Sequence, residues 1–238
     1  MPGMQAPAFE IFDSSEALAT GLAETVRDAL NKAIAARGRA VLAVSGGSTP
    51  LKFFRALSAL PLAWEQVTIM LVDERMVPAS SDRSNAKLVR DNLLQNHAAS
   101  AFFVPMYSGA FDEGDAAHQI EVVMKRAKLV PADFLILGMG NDGHTASYFP
   151  GGDHLEDAID PQQEALVLPM HAPSAGEARL TLTLPVLLAA RRLSLHIEGA
   201  GKRKVLDRAL ADGTRALDMP VRAVFENAQR AVEVFWAE

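Results

Sequence analysis

The chain contains no cysteine, which excludes a disulfide framework, a thiol nucleophile and a thiolate metal site. It also lacks an excess of positive charge: 23 Lys and Arg stand against 29 Asp and Glu, a formal net charge of −6. No basic stretch interleaved with aromatics occurs, so no surface for a phosphate backbone is expected and nucleic acid is set aside as a partner. Long apolar runs are missing as well. None approaches the roughly 18 residues that a bilayer span needs, and the opening MPGMQAPAFE lacks the apolar core of a signal peptide. No membrane partner is therefore expected, and the cytoplasm is the expected compartment. Internal repeats, low-complexity tracts and a convincing linker are also lacking, so residues 1–238 are read as a single domain.

The chain does contain a composition of 49% hydrophobic and 22% charged residues, enough for a sizeable core. Short apolar runs alternate with amphipathic ones. Ala8 to Phe12 reads as a strand, and Asp13 to Glu16 supplies a cap for a helix ending near Arg37 and Gly38, with Leu18, Leu22, Val26, Leu30 and Ile34 as its core-facing stripe. Strands are expected at Ala40–Val44, Val67–Val72, Phe102–Met106, Phe134–Leu137, Ala165–Leu168, Arg179–Thr183, Leu193–Ile197 and Ala231–Trp236. Helices are expected over Ala86–Leu94, from Asp112 to about Leu129, over Pro185–Ala190 and from Gly199 onward. Repeated βα units predict a mainly parallel sheet covered by helices on both faces.

Two glycine-rich turns carry the chemistry. The first, Ser45-Gly46-Gly47-Ser48, joins a buried strand to a helix with Thr49 as its expected cap and Pro50 at its first position. Unpaired N–H groups at such a helix start, with three hydroxyls beside them, suit phosphate oxygens. No Gly-Lys-Ser/Thr follows, so this is not a nucleotide-hydrolysing loop. The second turn follows Phe134–Leu137 and reads GMGNDGHTASYFPG, placing Asn141, Asp142 and His144 where an open α/β sheet ends its strands and binds ligands. Imidazole titrates near neutral pH and suits proton transfer, and Asp142 is placed to orient it. The other five histidines show no metal-like spacing, so no metal is expected; His196 lies inside a strand and is read as structural. Arg179 and Lys202 are the cations expected to complete the phosphate pocket, since a dianion bound only by N–H groups leaves charge to neutralise. Asp73, Glu74 and Arg75 end the third strand; alternation puts Asp73 and Arg75 on one side, and whether the two acids act chemically or brace loops stays open.

Taken together, VSGGSTP (44–50), VDERMVP with SDRSN (72–85), LGMGNDGHTASYFPG (137–151), ARLTLT (178–183) and EGAGKRKVL (198–206) resemble the 6-phosphogluconolactonases of the glucosamine-6-phosphate isomerase/6-phosphogluconolactonase family. The resemblance implies a Rossmann-like three-layer α/β/α sandwich, similar to glucosamine-6-phosphate deaminase and ribose-5-phosphate isomerase. It also implies hydrolysis of the sugar phosphate 6-phospho-D-glucono-1,5-lactone to 6-phospho-D-gluconate, with no cofactor, by a monomer or homodimer. His144 falls on the family's catalytic base and Arg75 on its substrate-contacting arginine. Ser45, Gly46, Gly47, Ser48, Thr49, Arg179 and Lys202 fall on its phosphate pocket, with Asp73 and Asn141 beside them. Two departures stand out: the loop HAPSAGEAR before Arg179 lacks the usual paired prolines, and Tyr148 stands where leucine is common. The alternatives are a deaminase-like isomerase and a noncatalytic sugar-phosphate sensor. The deaminases carry a proton-relay glutamate five residues after the histidine; here that position is Phe149, which carries no proton and so favours hydrolysis.

Overall fold

Each apolar run that alternation marked as a buried strand enters one of two sheets in the structure, a computed structural model that describes residues 4–109 and 112–238. In chain order the elements are β1 (Ala8–Phe12), α1 (Ser15–Arg37), β2 (Ala40–Val44), α2 (Leu51–Ser58), β3 (Val67–Leu71), β4 (Asp73–Arg75), α3 (Asn85–Asn92), β5 (Phe102–Val104) and α4 (Glu113–Ala127). There follow β6 (Phe134–Leu137), α5 (Leu155–Ala158), β7 (Val167–Met170), β8 (Arg179–Leu182), α6 (Leu184–Leu188), β9 (Leu193–Glu198), α7 (Gly199–Leu210), α8 (Val221–Asn227) and β10 (Glu233–Ala237). Helix starts obey the capping chemistry. Ser14 accepts the Ala17 N–H at 3.1 Å, and Asp112 accepts those of Gly114 and Asp115. Gly38, at φ 70°, closes α1 with its N–H on Ile34 O. Thr49 does not cap α2: Pro50 takes the cap position without a side-chain bond, and the helix begins at Leu51.

The large sheet has seven strands in the order β1-β10-β9-β6-β2-β3-β5, every neighbouring pair parallel. Strands β2 and β6 are buried along their whole length, as strands covered on both faces must be. On α1, Leu18, Leu22, Val26 and Leu30 are fully buried against it, while Ile34, the last of the stripe, is half-buried. Because all strands run one way, the turns after β2 and β6 leave side by side at the carboxyl edge.

The expected single sheet is only part of the architecture. Strands β4, β8 and β7 form a separate antiparallel sheet, so the segments at Ala165–Leu168 and Arg179–Thr183 do not extend the parallel one. The chain changes sheet at Val72: its N–H still bonds Val44 O, but its carbonyl accepts from Leu182 N–H at 2.9 Å. Asp73–Arg75 is thus a strand of its own, facing β8 rather than the charged tip of β3. The apolar pattern is the same in either sheet, so periodicity cannot tell which partner a strand takes.

Candidate active site

At the carboxyl edge, one cleft is lined by both glycine-rich turns, by the Asp73–Arg75 strand, by Arg179 of β8 and by Lys202 in the first turn of α7. The residues singled out for the phosphate pocket and for proton transfer therefore share a space, apart from Asp142 and Asn141. Asp142 stands just behind His144, whereas Asn141 is exposed on the outer side of the turn and does not line the cleft.

His144 Nδ1 lies 2.6 Å from Asp142 Oδ1, which also accepts the His144 backbone N–H at 3.2 Å. Burial works against the Asp142 carboxylate, but the hydrogen bond and charge of His144 outweigh it and hold Asp142 at about 2, against 3.8 ordinarily. The turn is built for this pair. A Cβ on Gly140 would stand 2.1 Å from His144 Nδ1 and 2.5 Å from Asp142 Oδ1, so only glycine leaves room. With Nδ1 committed to the carboxylate, Nε2 is the nitrogen left for chemistry. The ring is braced on its face by Phe149, centroid to centroid 4.3 Å. Phe149 in turn lies under the Arg179 guanidinium at 5.1 Å.

The cleft also holds more positive charge than its own carboxylate matches. Arg75 and Arg179 face each other directly in the antiparallel β4–β8 register, an arrangement that like charges disfavour. Each has a buried Nε with no hydrogen-bond partner among the described residues. Arg179 is 7% exposed; it donates to Ala175 O at 3.0 Å and stands 3.7 Å from Asp73 Oδ2. Burial, opposed by Asp73 and aided by Arg75, lowers its pKa. Lys202 donates to Met139 O at 2.8 Å, and burial lowers its pKa too, against the pull of Asp142. Three cations against Asp73 leave this lining at +2 in a protein of net charge −6. A buried donor without an acceptor is costly, and an anion in the cleft would remove that cost.

Several predicted residues turn out to hold the site together. Ser45 uses both its N–H and its hydroxyl on Ile136 O, at 3.1 and 3.0 Å, and its oxygen accepts from Gly138 N–H. It ties the two turns together and has no proton left for a phosphate, so the donor set reduces to the loop beyond it. Glu74 accepts from the N–H groups of Arg75, Asn85 and Ala86 and from Ser84 Oγ, locking β4 to the start of α3; burial nonetheless pushes its pKa up. Asp73 accepts from Ser147 Oγ at 2.7 Å. Both acids therefore brace loops. Tyr148 is fully buried, its hydroxyl donating to Leu182 O at 2.7 Å, which explains how a polar ring replaces leucine there. Sequence reasoning missed Asn85, which bonds Asp73 O and Arg75 and packs where a Cβ on Gly46 would go. It also missed His196 in the cleft lining; a signal existed in the pairing of His196 with Glu198 two residues on, on one face of β9.

Comparison with known proteins follows the same outline. A family model described as glucosamine-6-phosphate isomerases/6-phosphogluconolactonase matches residues 13–236. A 6-phosphogluconolactonase of Mesorhizobium japonicum is 54% identical over 226 residues, 95% of this chain and 93% of the relative. One from Rhizobium meliloti is 51% identical over 227 residues, 95% and 97% of the two chains. The crystal structure of a 6-phosphogluconolactonase from Shewanella baltica superposes with a TM-score of 0.93 at 38% identity, covering 99% of this chain and 100% of that one.

Proposed function

The chain belongs to the glucosamine-6-phosphate isomerase/6-phosphogluconolactonase family, and on that premise we propose how its cleft carries out the reaction. The enzyme is a 6-phosphogluconolactonase: it hydrolyses 6-phospho-D-glucono-1,5-lactone to 6-phospho-D-gluconate, in the pentose phosphate pathway. Phe149, at the position of the deaminases' relay glutamate, favours the same branch.

In the proposed mechanism the substrate's phosphate meets the N–H groups and hydroxyls of Gly46 to Thr49 at the start of α2, with Lys202 and Arg179 supplying charge. The lactone carbonyl then lies toward His144. Its Nε2 removes a proton from a water molecule as the water oxygen bonds to C1, Asp142 steadying the imidazolium that forms. Arg75, with turn N–H groups, holds the oxyanion. The C1–O5 bond breaks, and Nε2 returns the proton to O5, giving the open acid. The observation that carries this reading is the placement of an oriented imidazole and two partly unpartnered guanidinium groups in one cleft. A cytoplasmic setting, one domain over residues 1–238 and a monomeric or homodimeric state belong to the same proposal. The test is turnover of freshly made lactone, followed by acid release and corrected for spontaneous opening. His144→Ala is expected to lower kcat about 10²- to 10⁴-fold; near-full activity would refute His144 as the base.

A further inference from the structure

His196 is a polar residue in a central strand, between Leu195 and Ile197. It is 3% exposed, it is among the residues that line the cleft, and its ring meets Phe53, in the first turn of α2, edge-on at 6.3 Å. That places it at the end of the cleft where the Gly46–Thr49 loop enters the helix. Nε2 lies 3.1 Å from Glu198 Oε1, and the second Glu198 oxygen accepts from Ser15 Oγ at 2.5 Å. The hydrogen bond from His196, against the cost of burial and with help from Ser15 and Lys52, holds Glu198 below the ordinary carboxylate range. Glu198 is thus anionic, so Nε2 carries a proton and donates it.

Nδ1 is buried and has no hydrogen-bond partner among the described residues. A leucine at this position would satisfy packing alone, and buried polar atoms without partners call for an explanation. Glu198 on β9 is the charged group that meets the ring; behind it Lys52 of α2, paired with Glu16 of α1, acts on Glu198, and Lys202 on α7 lines the same cleft.

We propose that His196 is a further substrate-binding residue: it takes up a proton from solvent as the phosphate dianion enters and donates Nδ1–H to it, Glu198 balancing the charge from behind. The proposal rests on the lactonase reading above and adds to it a ligand within the β9 strand. A glutamine places its amide near the Nε2 position and an asparagine near Nδ1, so the two substitutions separate the two contacts. His196→Gln keeps the link to Glu198. It is expected to melt near the wild-type temperature, yet to raise KM for the phosphorylated lactone about tenfold or more, with kcat and turnover of unphosphorylated glucono-1,5-lactone little changed. His196→Asn is expected to be less stable but to have the lower KM of the two. A purely structural histidine gives the reverse order, and a wild-type KM in His196→Gln overturns the proposal.

Calorimetry with sulfate, a tetrahedral dianion that does not titrate, provides a second measurement free of turnover. In two buffers of different ionisation enthalpy slightly above neutral pH, the wild type and His144→Gln should take up a proton on binding and His196→Gln should not. No uptake by the wild type, or undiminished uptake in His196→Gln, overturns the proposal. If either position 196 variant fails to fold, the wild-type uptake decides alone. An inactive wild type would refute the functional reading instead, leaving the sulfate result to judge His196.

Discussion

The two ends of the parallel sheet are flanked by arginines that are held in opposite ways. At the amino edge Asp133, 7% exposed, bonds Arg37, stands 3.2 Å from Arg191 Nε and accepts the Val41 N–H at 2.9 Å. Beside it Arg192 makes a forked pair with Glu233 and stacks 4.8 Å over Phe134. Beyond the carboxyl edge, in the antiparallel sheet, Arg75 and Arg179 stand opposite each other with buried Nε atoms that have no partner among the described residues. Charge at the amino edge is matched within the fold, whereas charge lining the cleft is matched only in part, as the ligand-binding role proposed for it requires. Net charge alone, at −6, hides this division.

The contrast can be broken from either side. Arg179→Met should lower kcat/KM for the phosphorylated lactone about 100-fold, since charge-assisted bonds to an anion contribute roughly 1.5–3 kcal/mol each. Its melting temperature should stay level or rise, because a poorly matched buried charge is removed. Asp133→Ala should do the reverse, leaving kcat/KM alone and costing about 2 kcal/mol in chemical denaturation. That is less than the ~3–5 kcal/mol of a fully buried pair, because Arg37 and Arg191 are partly exposed. Equal stability losses in the two variants would erase the distinction.

Smaller effects sharpen it. Gly140→Ala displaces the His144–Asp142 pair and should reduce kcat about tenfold in a folded protein, measured by the same acid-release assay. The Asp142 carboxyl, lowered from 3.8 to about 2, binds its proton less readily folded than unfolded. Its stabilisation is therefore present above about pH 4 and lost as pH falls through about 2. After allowance for solvent screening at a partly exposed pair, Asp142→Asn should cost about 1 kcal/mol near neutral pH, a gap that closes in acid titrations. A gap independent of pH would mean that the pairing with His144 is not its source.

Much of this was legible in residues. The apolar runs of β2 and β6, the caps at Ser14 and Asp112 and the glycine turns announce themselves because local chemistry dictates them. His144 beside Asp142 was legible for the same reason: both lie in one turn. The departure of β4 into a second sheet was not, because strand pairing is a long-range choice that Asp73-Glu74-Arg75 does not encode locally. With it went the meeting of Arg75 and Arg179 across 104 positions of chain. Nor does an isolated serine reveal that its hydroxyl is already engaged, as Ser45 is with Ile136 and Gly138. His196 was hidden by its strand, where a buried side chain reads as core.

The most direct test of the central claim is a crystal structure with 6-phosphogluconate bound. The account predicts the phosphate on the Gly46–Thr49 loop within reach of Lys202 and Arg179, and the C1 carboxylate within hydrogen-bond distance of His144 Nε2. A phosphate seated at the amino edge, or a C1 group remote from His144, would contradict it.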